Sequence, residues 1–260
     1  MGPRFTAFLR EFWWFGLKEA WACLFGGLLL AGLLATAFWY PKDALLPRYD
    51  FLFLYCLAIQ ATLLALRLET WEESRVILVF HVAGTIMELF KTHFGSWQYP
   101  EANYLRLAGV PLFSGFMYSA VGSYIARAWR GFDLRFSRFP GRQATALLGL
   151  AIYVNFFAHH YLPDFRLLLF VGVLWLFGPA KVHYTVLQHA RSMPLIVGLA
   201  LVALFIWIAE NIGTFGRVWL YPNQQAAFVM VSIQKLGSWF LLMIVSFVLV
   251  SLVHRPQPPD

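Results

Sequence analysis

Charge is what this chain has least of. Only 13% of its 260 residues are Asp, Glu, Lys or Arg, about half the share of an ordinary soluble domain. With 60% hydrophobic and 18% aromatic residues, the composition excludes an ordinary soluble globule and implies a multi-spanning membrane protein. Cysteine is nearly absent as well. Cys23 and Cys56 both lie in apolar runs and match no metal or disulfide spacing, so they read as packing residues and say nothing about redox compartment. No phosphate-binding glycine loop, nucleophile elbow, haem motif or flavin fingerprint occurs, so no soluble-type cofactor is expected. A cleavable leader is not expected either, because Arg10, Glu11, Lys18 and Glu19 interrupt the first apolar stretch and no small-residue cleavage site closes it. The formal charge is +7, but the basic residues fall between apolar runs and form no continuous face. That pattern suits membrane topology and excludes nucleic acid as a partner.

Crossing the hydrocarbon core as helix takes about twenty apolar residues. The hydropathy pattern predicts about eight spans, near 19–38, 51–66, 76–92, 107–127, 144–160, 165–181, 194–214 and 226–253. The fold class is therefore all-α and polytopic, a single integral-membrane domain over 1–260. Arg4, Arg10 and Lys18, then Arg67 and Arg75, then Arg127, Arg130, Arg135, Arg138 and Arg142, then Lys181 and Arg191, and finally Arg255 all fall on one side of an even number of spans. The positive-inside rule then places both termini in the cytoplasm.

One pattern occurs twice at the same spacing. Glu88, Thr92, Trp97, Tyr99 and Pro100 recur as Glu210, Thr214, Trp219, Tyr221 and Pro222, and Gly115 matches Gly237 at the same offset. Four spans separate the copies, so they run in the same direction across the membrane, as in a parallel 4+4 duplication with repeats 13–130 and 142–253. The Trp-x-Tyr-Pro half has relatives in the other outer loops, Trp39-Tyr40-Pro41 and His160-Tyr161-Leu162-Pro163. Boundary preference of Trp and Tyr and the helix-ending action of Pro account for it. The two glutamates have no such inexpensive explanation, because an ionisable group inside a span is costly.

His81, Thr85, Glu88 and Thr92 follow i, i+4, i+7, i+11 and share one helical stripe, with Lys91 and His93 beside it near the outer surface. On the same side the spacing brings Asn155, His159 and His160 on the fifth span, Glu210 and Asn211 on the seventh, and Gln234 and Lys235 on the eighth. Span four offers Ser114, Gly115, Tyr118, Ser119, Gly122 and Ser123, which suit close helix packing as readily as ligand contact. Several readings stand side by side. The polar groups hold helices together, with Glu88 and Glu210 paired to Lys91, Lys235 or a histidine. Alternatively Glu88 and Glu210 divide acid and base roles beside an apolar substrate, oriented by His81, His93 and His159, with Trp97 and Trp219 at the mouth and Thr85, Thr92, Tyr99, Asn155, Asn211 and Lys235 as substrate contacts. A metal held by His93, His159 and His160 with a glutamate is the least favoured, since adjacent histidines on a helix point about 100° apart.

The stretch from His81 to Arg130, with Gly84, Glu88, Lys91, Gly95-Ser96-Trp97, Tyr99-Pro100-Glu101 and Gly109-Val110-Pro111-Leu112-Phe113-Ser114-Gly115-Phe116-Met117-Tyr118, resembles a bacterial membrane family known as domain of unknown function 817. Asn155-Phe156-Phe157-x-His159-His160 and Ile206-Trp207-Ile208-Ala209-Glu210-Asn211 fit the same family, so the likeness covers nearly the whole chain. That family implies a membrane protein and brings no activity with it. Glu88, Gly95, Tyr99 and Gly109-Val110-Pro111 are also similar, more faintly, to membrane carotenoid hydratases and integral-membrane lycopene cyclases, which implies isoprenoid chemistry. The leading expectation is an enzyme transferring protons to or from a lipid or isoprenoid. The alternative is a proton- or cation-coupled transporter or small-molecule binder, its path marked by Gln60, His81 and Lys235. Membrane lipids and an apolar small molecule are the expected partners; the sequence does not decide oligomeric state.

Overall fold

The computed structural model describes residues 3–188 and 190–259. The protein is an all-α, polytopic membrane protein with two small antiparallel sheets. The helices are α1 (Pro3–Ala22), α2 (Leu24–Trp39), α3 (Arg48–Ala65), α4 (Trp71–His93), α5 (Ser114–Gly131), α6 (Arg142–Ala158), α7 (Arg166–Phe177), α8 (Leu195–Phe215) and α9 (Gln234–Val253). A hairpin, β1 (Arg106–Leu107) with β2 (Val110–Pro111), precedes α5, and β3 (Arg135–Ser137), β4 (Lys181–Thr185) and β5 (Ala190–Pro194) form a three-stranded sheet in that order.

Each predicted span falls on a helix, but the helices differ in what they can cross. Among the described residues α3, α4, α8 and α9 are long and apolar enough by themselves, while α1 and α2 pass only together, as a broken pair. α7 has 12 residues, about 18 Å of helix against a hydrocarbon core of about 30 Å. Gly178 and Pro179 stop it, and Lys181 already belongs to β4. The fourth expected span begins late because Ala108 and Gly109 take left-handed backbone (φ 45° and 86°) and turn 106–111 into the hairpin. The eighth begins at Gln234 rather than near 226, since a short 3₁₀ turn, Pro222–Gln224, and the segment after it follow the loop course set by Gln224. Gln224 is buried, accepts from its neighbour Tyr221 N–H at 3.1 Å and donates to Val229 O at 2.6 Å.

The chain forms two compact units: unit 1 from Met1–Cys23, Ile125–Phe205 and Leu236–Asp260, and unit 2 from Leu24–Tyr124 and Ile206–Lys235. Helices α5, α8 and α9 each contribute residues to both. In unit 2, Tyr49, Leu52, Cys56, Ile59 and Leu63 repeat at alternating three- and four-residue spacing along α3 and pack with Phe25, Leu29 and Leu33 of α2 and with Phe113, Phe116 and Val218. This is the knob spacing of helices packed at small angles. Cys56 is therefore a core side chain, as its apolar setting predicted. In unit 1 an aromatic cluster of Trp129, Phe136, Phe139 and Phe247 joins α5 and α9 to the sheet, with ring centroids 4.7 to 6.0 Å apart.

Buried charge organises one end of unit 2. Asp50, at the start of α3 and 1% exposed, accepts from the Asn103 amide and from the Tyr104 and Leu105 N–H groups at 2.8 to 2.9 Å. Arg48 donates to Thr36 Oγ1, Glu101 Oε1, Leu33 O and Gly216 O. One guanidinium thus ties α2, the loop after α4 and the end of α8 together. At the other end of α4, Thr70 and Glu73 form a reciprocal capping box that satisfies two orphan N–H groups. Glu69 accepts from Gln60 and Ser123 there.

Candidate functional site

The two copies of the repeated pattern end their helices in the same way. On α4, Gly95 N–H bonds Thr92 O and Ser96 N–H bonds Lys91 O; on α8, Arg217 N–H bonds Thr214 O and Val218 N–H bonds Gly213 O, all at 2.9 to 3.0 Å. These are Schellman-type ends, which need one residue in left-handed backbone. Gly95 (φ 66°) supplies it without steric cost and Arg217 (φ 52°) supplies it with one. Each reversal sends the Trp-x-Tyr-Pro segment back over its own helix. The two segments then pair: Gln98 and Leu220, the central residues of the two Trp-x-Tyr triplets, exchange N–H to O=C bonds at 2.9 Å in an antiparallel bridge.

That pairing brings the glutamates' partners together. Glu88, 2% exposed, accepts at Oε2 from Trp97 Nε1 (2.7 Å) and Tyr99 Oη (2.8 Å), and at Oε1 from Tyr118 Oη (2.8 Å). Glu210, 3% exposed, accepts from Tyr221 Oη. Each glutamate therefore takes a phenol eleven residues on, because helix end and loop have the same length in both copies. Trp97 and Tyr221 meet edge to face with centroids 6.1 Å apart. Lys235 Nζ lies 4.3 Å from the centre of the Tyr221 ring and 5.6 Å from that of Trp97, within cation-π range. Burial pushes the Tyr221 phenol well above its ordinary value, and the charges of Glu210 and then Glu88 add to the effect. It stays protonated and donates.

Two close approaches position these groups. A Cβ on Gly84 would lie 2.5 Å from the Tyr118 ring, and one on Gly213 would lie 2.3 Å from the Trp219 indole. Tyr118 can cross onto α4 and reach Glu88 only because residue 84 has no side chain. The copies differ here: Trp97 donates to its glutamate, while Trp219 packs onto Gly213 and against the unit 2 core. Trp219 also hydrogen-bonds the Tyr221 phenol that holds Glu210.

Of the residues singled out from the sequence, Glu88, Trp97, Tyr99, Glu210 and Lys235 come together. Thr85 and Thr92 return their hydroxyls to the carbonyls of His81 and Glu88, at 2.7 Å each. Asn211 donates to Trp207 O and accepts from Val231 N–H, fixing the approach to α9. His81 packs its ring 4.5 Å from Phe116, with Nδ1 buried and unbonded, and His93 is exposed against Phe94. Asn155, His159 and His160 belong to unit 1. There Asn155 holds the end of α6: its amide donates to Asp164 and its carbonyl accepts from Phe165 N–H, while His159 Nδ1 is 2.9 Å from Asn155 O. Among the described residues no three His, Cys, Asp or Glu side chains converge to hold an ion. Tyr118 was grouped with the small and hydroxyl residues of span four. Its signal as a site residue was Gly84, the gap it fills.

A polytopic helical membrane fold with a carboxylate-phenol cluster defines the class. The chain belongs to the family described as protein of unknown function (DUF817), matched over residues 11–247. It is 44% identical over 237 residues to the uncharacterized protein YoaT of Bacillus subtilis (strain 168), covering 91% of this chain and 89% of that one. In fold it is similar to a mycobacterial Insig homolog, MvINS from Mycobacterium vanbaalenii, with TM-score 0.50 and 17% identity over 73% of this chain and 98% of that one. A cross-linked MvINS trimer matches with the same TM-score at 16% identity. At that identity the likeness concerns the fold alone.

Proposed function

We propose that the protein is an integral-membrane enzyme that moves a proton to or from a lipid or isoprenoid, with Glu88 and Glu210 as the acid and base. The observation that carries this reading is the convergence of two buried carboxylates, each held by the phenol eleven residues along, on one pair of aromatic rings under Lys235. Helix glue needs no such arrangement, because amides and hydroxyls associate helices at lower desolvation cost than carboxylates. Three donors fix the Glu88 carboxyl in one orientation, as proton transfer requires. Tyr118 and Tyr221 donate their hydroxyls to the carboxylates and extend their reach by one bond. Of the residues that would mark a transport path, Gln60 is engaged with Glu69 and Ser74 near the start of α4, Lys235 lies over the aromatic pair, and His81 keeps a buried, unbonded Nδ1.

The deciding experiment compares the lipid and isoprenoid profile of cells carrying wild type, Glu88→Gln, Glu210→Gln and a deletion. Both variants should reproduce the deletion's profile. Wild-type profiles from both, with an altered deletion profile, would falsify the assignment. Native mass spectrometry of the purified protein identifies the apolar ligand. The same reading places the protein in the bacterial inner membrane with both termini cytoplasmic and treats 13–130 and 142–253 as parallel repeats, supported by the basic loops and the matched helix ends.

A further inference from the structure

We propose that α1 is an interfacial anchor whose exposed aromatic arc lies in the headgroup boundary of an anionic leaflet. The helix carries Arg4, Arg10, Glu11, Lys18 and Glu19 within 20 residues, too many charges for a span of its own.

One side of α1 is tied to the rest of unit 1. Glu11, Phe15 and Lys18 follow i, i+4, i+7 and share a face. Arg191 of β5 donates to both Glu11 oxygens at 2.5 and 2.7 Å, and Lys18 Nζ donates to Thr185 O at 2.9 Å. Phe15 packs against Phe132 and Tyr184 with centroids 5.4 and 6.2 Å apart. Beside that face Phe5, Phe8, Leu9, Phe12 and Trp13 are all exposed, Phe12 at 66% and Trp13 at 67%, and Trp14, Leu17 and Trp21 are exposed further round the helix. Exposed apolar side chains this dense mark an interaction surface. An amphipathic helix with aromatic residues on its apolar side and basic residues at its margin suits the headgroup boundary.

Charge selects the leaflet. The whole surplus of +7 falls in unit 1, and unit 2 is balanced. Arg10 borders the arc. Arg138, Arg142, Lys181 and Arg255 in the same unit are exposed and make no ion pair among the described residues. Anionic headgroups complement that surplus.

The test uses the full chain in nanodiscs of phosphatidylcholine alone or with phosphatidylglycerol. An environment-sensitive fluorophore is attached at Phe12→Cys in a Cys23→Ser, Cys56→Ser background, with Ser192→Cys, exposed and uncharged on the sheet, for comparison. The Phe12→Cys probe should be quenched by headgroup-borne spin label and shielded from iodide several-fold better than the Ser192→Cys probe. Phosphatidylglycerol should strengthen the shielding and salt should weaken it. Iodide quenching equal at the two positions would overturn the proposal. So would shielding indifferent to phosphatidylglycerol and salt, or shielding lost when each disc holds one chain, which would indicate a second copy as the occupant. Phe8→Cys gives the same readout should the Phe12→Cys protein fail to fold.

Discussion

Three donors on one carboxylate make Glu88 sensitive to what replaces it. In Glu88→Gln the amide oxygen can take the Oε2 position and keep Trp97 and Tyr99, while Tyr118 rotates its hydroxyl to accept from the amide nitrogen. In Glu88→Leu all three donors are orphaned, at about 1–3 kcal/mol each. Thermal melts in detergent should therefore leave the Gln variant near wild type and lower the Leu variant by many degrees. Equal melting temperatures would contradict the three-donor geometry. At Asp164 desolvation pushes the carboxyl up, but the Arg166 guanidinium and N–H and the Asn155 amide together pull it down to about 2. A depressed carboxyl contributes stability above its unfolded value, about 4, and loses it as pH falls from there towards about 2. Exposure limits the effect to below about 1 kcal/mol. The stability gap between wild type and Asp164→Asn should close over that interval.

A helix can present a site only where its neighbour makes room. Gly84→Ala places a methyl 2.5 Å from the Tyr118 ring and should cost about 1–3 kcal/mol as overpacking. It should also withdraw Tyr118 from Glu88, so activity should fall more than stability. Gly213→Ala should cost a similar amount through Trp219, which reaches its glutamate only by way of the Tyr221 phenol; its activity should fall less than that of Gly84→Ala. Measuring both variants for melting temperature and product separates the two effects. The helices were legible because apolar runs of span length have few alternatives. The sheet was not, since β3, β4 and β5 are short, carry Arg135, Lys181 and Arg191, and sit in loops read only for charge. Hydrogen bonding between distant segments, Arg135 with His183 and Tyr184 with Arg191 in register, leaves little local pattern. Likewise Asp50 and Arg48, near a helix start, gave no sign of the loops they bind.

Across the whole molecule, charge is divided between the units rather than spread. Single cysteines at Lys42 and at Arg138 should label from opposite sides of sealed vesicles, with Arg138→Cys reactive only after permeabilisation from outside. Labelling from the same side would reverse the topology drawn from the basic loops. Asn155 and His159, read as partners of Glu88 because both lie at outer ends, cap α6 within unit 1. Helical spacing says which residues share a face of one helix; it carries no information about which helices are neighbours.

The sequence by itself determined the membrane class, the helix positions and the two glutamates, because hydropathy and the cost of buried charge act through local composition. The family could be recognised from its motifs. Tertiary structure decided what those glutamates meet. Tyr118 reaches Glu88 across a glycine gap, and Gln98 pairs with Leu220 across 122 residues of chain; both depend on backbone approach in three dimensions.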